Sequence, residues 1–394
     1  MGLRIIRKWF RRAGLAVWQR KRVTHALAPI AYQEAICETG LMNSPHVSQQ
    51  MALTRLLDAS ANRAREGLRV TEDWVRFALD DAHLTACLKR IRHDLAAALD
   101  VIPWEQRLAA RETQADVGTD ITAPSEHRRE GVRDVLTANL LRLQESLRSI
   151  EEFGKLIDPA VGEAVEQLRY RTYTIQRAID ATQIGLKRLA TTRLYVLLDG
   201  RASVEEFERI AQGLIQGGVD VLQFRDKRLA DRELIDRARR LRQLTRGTST
   251  LFIVNDRPDL AALAQADGVH VGQEELSVKD ARSIIGPDAL IGVSTHSIEE
   301  ARQAVLDGAN YLGVGPTFAS GTKPFDHFPG LELLRAVAAQ VRLPAFAIGG
   351  ITRENLDQVK SAGFRRVAVS GAILGAEDPV RAAKEFRAEL STEK

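Results

Sequence analysis

The sequence predicts an α/β protein in which an all-α domain precedes a C-terminal (β/α)8 TIM barrel. Three observations carry that expectation. From about Met51 to Arg188 the apolar residues recur with helical periodicity, Leu, Ala and Arg dominate, and β-branched runs are few. Beyond residue 192 short apolar runs alternate with amphipathic helical stretches, eight of each kind fitting within about 200 residues. Polar residues suited to chemistry follow six or seven successive runs at their C-terminal ends, which favours a barrel over a doubly wound open sheet with one switch point.

Composition narrows the functional classes. At 394 residues and 44% hydrophobic content the chain is long enough for two cores. A net charge of +4 from 56 basic and 52 acidic residues is too slight to argue for a nucleic-acid partner. Cys37 and Cys87 have neither metal-ligand nor CxxC spacing, as in a reduced, cytoplasmic protein. No apolar run approaches the ~18 residues of a transmembrane segment. Small molecules are therefore the expected partners, with a homo-oligomer left open.

Residues 1–50 form a basic extension. Arg4, Arg7, Lys8, Arg11, Arg12, Arg20, Lys21 and Arg22 precede the first acid, Glu34, with Ile5, Ile6, Trp9, Phe10 and Trp18 between them. A basic amphipathic helix is one reading and a poorly ordered extension the weightier one. Residues 51–190 make the helical domain and 191–394 the barrel, joined by a short helical connection.

In the helical part, Glu66-Gly67-Leu68-Arg69 followed by Glu72-Asp73 is echoed 79 residues later by Glu145-Ser146-Leu147-Arg148 and Glu151-Glu152, the mark of a duplicated hairpin. Glu66, Arg69, Asp73 and Arg76 share one helix face, and Val70, Trp74 and Phe77 another. The bland reading of the charged face is solvated ion pairs worth a few tenths of a kcal/mol each. Gly67 in a helix interior costs about 1 kcal/mol relative to alanine, so a ligand or a neighbouring backbone should approach it closely.

Strands are expected at Leu194 to Leu198, Val219 to Phe224, Leu251 to Val254, Gly268 to Val271, Leu290 to Ser294, Tyr311 to Val314, Ala345 to Ile348 and Arg366 to Val369. Helices are expected, for example, at Val204 to Gln216, Asp231 to Leu244, Ile298 to Leu306, Leu331 to Gln340 and Arg353 to Ala362. Asp256 and Glu275, after the third and fourth strands, offer carboxylates to a hard cation. Arg225 and Lys227, Ser294 and His296, and the Ser320-Gly321-Thr322-Lys323 loop complete the parts of a diphosphate site. Singly, each has a rival: Arg225 and Lys227 as a surface charge pair, Asp256 as a helix cap, His296 as a structural hydrogen-bonding residue. His270 reads as core.

The helical segment resembles the domain fused upstream of certain thiamine phosphate synthases and assigned as a hydroxymethylpyrimidine phosphate kinase. The resemblance rests on Asp58 through Asp73, on Arg76-Phe77 and on Leu88 through His93. It implies Asn62, Arg63, Glu66 and Arg69 as ligand contacts and ATP as the phosphoryl donor. No glycine-rich phosphate cradle supports a kinase independently.

The barrel segment resembles thiamine phosphate synthase over residues 193 to about 390. The resemblance runs through Tyr195-Val196, Gln223-x-Arg225-x-Lys227, Asn255-Asp256-Arg257, Ala266 through Glu274, Gly292 through Ser297, Gly313 through Pro316, Thr322-Lys323-Pro324 and Ile348 through Ile351. It implies condensation of 4-amino-2-methyl-5-(diphosphooxymethyl)pyrimidine with a thiazole phosphate, releasing pyrophosphate, with Mg²⁺ as cofactor. It places Gln223, Arg225, Lys227, Asn255, Ser294 and Lys323 on the pyrimidine diphosphate, with Arg225, Lys227 and Lys323 as catalytic cations. Ser320, Gly321, Thr322, Gly350, Val369 and Ser370 fall on the thiazole phosphate, and Asp256 and Glu275 on the metal. Two positions depart from the family pattern: Glu275 stands for the usual Asp, and Ser320-Gly321-Thr322-Lys323 for Thr-x-Thr-Lys. The alternative is a thiazole tautomerase-like or ligand-sensing barrel beside a non-catalytic helical dimerisation domain.

Overall fold

A computed structural model describes residues 45–112, 114, 129–319 and 329–391. The basic stretch before residue 45 and the Ser320-Gly321-Thr322-Lys323 loop therefore lie outside the described residues. The first described helix, α1 (Pro45–Trp74), begins before Met51, so the border expected after residue 50 falls inside a helix. A π-helical turn (Val75–Leu79) continues it, followed by α2 (Ala82–Ala98), α3 (Trp104–Ala109), α4 (Val132–Gly154) and α5 (Pro159–Arg188).

The sequence echo corresponds to two hairpins. Buried Glu72 receives Arg69 of its own helix at 3.6 Å and Arg92 of α2 at 3.1 Å. Buried Glu151 receives Arg148 of α4 at 2.6 Å and Arg169 of α5 at 2.8 Å. Asp81 caps α2 through Leu84 N, and Asp158 caps α5 through Ala160 N. The first hairpin is two residues longer between its buried Glu and its capping Asp, and it contains the π-helical turn, whose wider register accommodates added residues. That turn also revises the apolar stripe expected along α1: Val75 and Leu79 go to the core, while Val70 and Phe77 face solvent, Phe77 at 70% exposure. Gly67 has its explanation in packing. A Cβ there would lie 2.7 Å from Asn139 O, so the backbone of α4 passes directly over it.

The remaining chain closes eight parallel strands into a barrel in sequence order. They are β1 (Leu194–Leu198), β2 (Val221–Phe224), β3 (Leu251–Asn255), β4 (Gly268–Val271), β5 (Leu290–Thr295), β6 (Tyr311–Val314), β7 (Ala345–Ile348) and β8 (Val367–Val369). The intervening helices are α6 (Val204–Gln216), α7 (Asp231–Thr245), α8 (Pro258–Leu263), α9 (Val278–Ile285), α10 (Ile298–Asp307), α11 (Gly330–Gln340) and α12 (Leu356–Ser361). After β8 come α13 (Gly371–Leu374) and α14 (Pro379–Ser391). Alternation along each strand sorts the side chains: Leu194, Val196 and Leu198 pack under the helices, whereas Tyr195 joins Val221, Ile253, Tyr311, Phe346 and Ala368 inside the barrel.

The helical part docks on the barrel's N-terminal rim through α5. A Cβ on Gly185 would lie 2.0 Å from Asn310 O, so glycine permits the helix to seat there. Asn310 Nδ2 donates to Ala181 O, Arg177 to Leu306 O and Arg188 to Asp288 O. Leu189 plugs the interior from below, and Arg342 N donates to Asp81 Oδ2 at 2.8 Å. No helix among the described residues is long and apolar enough to cross a membrane.

Candidate active site

The barrel's C-terminal rim gathers the predicted residues of the β2, β3 and β4 loops. Gln223, inside the end of β2 and 3% exposed, donates from Nε2 to Asn255 Oδ1 at the end of β3. Asp256 follows in the left-handed backbone region at φ 60°, which costs a non-glycine residue about 1–3 kcal/mol. Its amide donates to His270 O at 2.8 Å, tying the β3 loop to β4. Asp256 does not cap α8, whose N-cap residue is Arg257.

Electrostatics show which groups converge. Burial, followed by the neighbouring Glu275 charge, pushes the Asp256 carboxyl above the usual range, while Lys227, Arg225 and a hydrogen bond with Asn255 pull it down. One carboxylate and two cations from the flanking loops therefore all act on the Asp256 carboxyl. Glu275 folds back over the end of β4: a Cβ on Gly272 would lie 2.3 Å from its Oε2. Asp226, next to Arg225, has a different task. Burial raises its pKa, but hydrogen bonds from the Arg228 side chain and from the amides of Arg228, Gly200 and Leu229 outweigh it and hold it at about 2. It ties the β1 loop to the β2 loop and so fixes the base of Arg225 and Lys227.

Beneath the rim lies a hydrogen-bonded column that the sequence did not mark. Tyr195 OH meets Tyr311 OH at 3.1 Å, Tyr311 OH meets His270 Nδ1 at 3.3 Å, and His270 Nε2 meets Ser294 Oγ at 3.0 Å. Burial lowers the His270 pKa to about 4, so the ring is neutral near pH 7. Gly292 makes room for both rings, since a Cβ there would meet Tyr311 Cζ at 2.1 Å and His270 Nδ1 at 2.5 Å. The expected burial of His270 is observed, at 8% exposure, and its ring also orients Ser294. Gln273 Nε2 reaches Ser294 O from the β4 loop. A cluster of strand-end rings and hydroxyls is visible in sequence only once the register places 270, 294 and 311 on adjacent strands.

On the opposite side of the rim, Gly350 has φ 62°, and a Cβ there would lie 2.6 Å from Ala319 O and 2.7 Å from Phe318 O. The β6 and β7 loops thus press together at a position only glycine tolerates. Asn355 donates to Gly350 O and fixes that turn. Val369 is buried at the end of β8, and Ser370 Oγ donates to Leu197 O. His296 Nδ1 lies 2.6 Å from Gly315 O, bracing the β5 and β6 loops.

The four positions singled out in the helical part all lie on α1. Asn62 turns to Asp58 at 3.2 Å, Arg69 to Glu72, and Arg63 and Glu66 are exposed.

Comparison with known proteins agrees with both segments. The family described as "Thiamine monophosphate synthase" matches residues 194–373, and the ThiD2 family matches residues 55–178. A thiamine-phosphate synthase of Synechocystis sp. is 42% identical over 342 residues, covering 86% of this chain and 97% of the relative. One from Rhodopirellula baltica is 42% identical over 335 residues, covering 83% and 89%. Among solved structures, a thiamine phosphate pyrophosphorylase from Pyrococcus furiosus is 35% identical over 51% of this chain and 97% of its own, with a TM-score of 0.46. With more than four-fifths of its length aligned to these relatives, the chain belongs to the thiamine-phosphate synthase family and carries a ThiD2-family region ahead of the synthase barrel.

Proposed function

We propose that the barrel rim joins 4-amino-2-methyl-5-(diphosphooxymethyl)pyrimidine to a thiazole phosphate, and that the helical part makes the pyrimidine diphosphate by ATP-dependent phosphorylation of the monophosphate. The observation that carries the first step is the action of Arg225, Lys227 and Glu275 on the Asp256 carboxyl at one rim. A barrel that merely sensed or tautomerised a thiazole would have no diphosphate for these groups to hold.

In the condensation the bond between the pyrimidine methylene carbon and the diphosphate oxygen breaks, and its electron pair leaves with pyrophosphate. The thiazole nitrogen then supplies the pair for the new C–N bond. The protein need not provide a nucleophile. Its work is neutralisation of the leaving group and alignment of two rings. Arg225 and Lys227 grip the diphosphate, and the Gln223–Asn255 pair sits beside them. Ser294, held by neutral His270, completes the pyrimidine side. Gly350 and the Val369-Ser370 turn face the thiazole phosphate. Ser320, Gly321, Thr322 and Lys323 join the site on the strength of the family resemblance.

The donor set suits Mg²⁺. Among the described residues no group of three or more His, Cys, Asp or Glu side chains forms a metal cage. Mg²⁺ characteristically takes one or two carboxylates and fills its remaining positions with phosphate oxygens and water. Asp256 and Glu275 offer that pair, and a cation between them would relieve the repulsion that raises Asp256. Bound there, Mg²⁺ would neutralise charge on the departing pyrophosphate.

The test is a product assay with purified protein and thiazole phosphate. One reaction contains pyrimidine monophosphate, ATP and Mg²⁺, and the other contains pyrimidine diphosphate and Mg²⁺ without ATP. Thiamine phosphate in both is expected. Product from the diphosphate alone would leave the helical part without a kinase role, and product from neither would overturn the synthase reading.

A further inference from the structure

In the helical part the sequence resemblance pointed at an exposed face of α1, but the structure gathers unneutralised positive charge one turn away. Arg107, on α3, is 6% exposed, and its Nε and Nη1 have no hydrogen-bond partner. Six buried side-chain nitrogens or oxygens among the described residues lack a partner, and two of them belong to this one guanidinium. Burying a charged group with its donors unsatisfied is expensive unless a counter-charge arrives.

The surroundings indicate which counter-charge. Arg111 is already committed to Asp58 through two bonds, Nε to Oδ2 at 2.8 Å and Nη2 to Oδ1 at 3.0 Å. Asn62 also donates to Asp58 Oδ2. With Asp58 satisfied by those partners, Arg65 and Arg107 have no carboxylate in direct contact among the described residues, and burial first, then the Arg107 and Arg111 charges, lower the Arg65 pKa while Asp58 and Asp100 pull it up. Trp104, 48% exposed, stands beside the cluster with Arg107 and Arg111 over its ring at 5.6 and 5.7 Å. The second hairpin has no counterpart, because α5 runs on without a break from the residues equivalent to α2 into the barrel.

We propose that Arg65 and Arg107, framed by Arg111, Asn62 and Trp104, bind the phosphoryl group of a phosphorylated small molecule. Arginine's planar fork matches phosphate oxygens, and an aromatic ring beside it suits a flat heterocycle. The geometry argues for the phosphate by itself; that the phosphate belongs to a kinase substrate or its nucleotide rests on the reading given above.

All four tryptophans, Trp9, Trp18, Trp74 and Trp104, precede the barrel, so tryptophan fluorescence does not see phosphate bound at the synthase rim directly. The experiment titrates the full chain with inorganic phosphate at constant ionic strength and follows that fluorescence. A saturable change is expected, absent in Trp104→Phe and weakened at least ten-fold in Arg107→Gln and Arg65→Gln. Arg107→Lys, which keeps the charge but not the fork, should fall between. Thermal unfolding of each variant, and its thiamine phosphate formation from supplied pyrimidine diphosphate, show that the fold survives. Competition by pyrimidine monophosphate or by ATP supports the proposal and tells which phosphate sits there. Displacement by neither means an adventitious ion only and overturns it, as does an unchanged midpoint in folded Arg107→Gln. Kinase activity without a saturable response would overturn this pocket while leaving the kinase reading intact. A saturable response without kinase activity would do the reverse.

Discussion

At the barrel rim, residues up to 50 positions apart come together; in the helical part, two of four residues within seven positions pair with carboxylates of their own helix and two face solvent. Arg225, Lys227 and Glu275 sit on two other loops yet all act on Asp256. Asn62, Arg63, Glu66 and Arg69 share a few turns of α1, yet Asn62 turns to Asp58, Arg69 to Glu72, and the other two to solvent. The contrast teaches that a closed parallel barrel makes convergence a property of topology. Every strand's C-terminal end reaches the same rim, so any polar residue placed there joins the site. A helix face guarantees only local neighbours. What meets it depends on where another helix crosses, and here a glycine-mediated crossing with α4 and an arginine-bearing turn at α3 decide that.

The sharpest way to break this comparison is to separate the two activities. Arg225→Gln or Lys227→Gln should lower kcat/KM for condensation by about 10²–10³, the usual cost of one charge-stabilising donor. ATP-dependent phosphorylation of the pyrimidine monophosphate should remain within two-fold, to about the precision of such assays. Loss of both activities in a folded variant would mean that the parts share one site.

Smaller but more diagnostic is the metal pair. Asp256→Asn and Glu275→Gln should each raise the Mg²⁺ concentration for half-maximal condensation by about 10–100-fold, while Glu275→Asp should cost far less. An unchanged Mg²⁺ midpoint in both amide variants would remove these carboxylates from metal binding.

Docking of the helical part comes next. A Cβ on Gly185 meets the Asn310 carbonyl, so Gly185→Val should destabilise the junction by about 1–3 kcal/mol and divide thermal unfolding into two transitions. A single unshifted transition would show that α5 is not the clamp. Because this contact lies on the rim opposite the proposed synthase site, pyrimidine diphosphate made in the helical part should mix freely with added diphosphate. An isotope-dilution trap should therefore show full mixing; retention of label would argue for a guided route.

The most gradual effect is a pH slope. His270 has a folded pKa of about 4 against an unfolded value near 6.5, so the unfolded chain binds more protons between those values. Its contribution to stability is present above pH ~6.5 and is lost as pH falls toward ~4, at up to about 1.4 kcal/mol per pH unit. Urea unfolding from pH 7 to 4.5 should show that slope, and His270→Gln should reduce it. An equal slope in both proteins would mean that other groups carry it.

Much of the barrel was legible because its signals are local. Leu194–Leu198, Gly268–Val271, Tyr311–Val314 and Ala345–Ile348 coincide with the expected strands, and Val204–Gln216 with the expected helix. Short buried runs bounded by turns leave little freedom for the border. Arg353 to Ala362 shortened to Leu356–Ser361 because Asn355 turns back to Thr352 N and Gly350 O before the helix begins. The rim cluster was legible from strand ends alone. Its supporting column was not: Tyr195, His270 and Tyr311 look like ordinary strand residues until register sets them side by side.

The sequence by itself determined two architectures, the barrel with its polar rim and a repeated helical hairpin, because periodicity, glycine placement and short motifs are written along the chain. Tertiary structure alone decided that α5 docks on the far rim, that Asp256 shares its field with Glu275, and that Arg107 is buried without a partner. These depend on distances between segments remote in sequence. Burial changes the free energy of a charge or a hydrogen bond by amounts that no local pattern encodes.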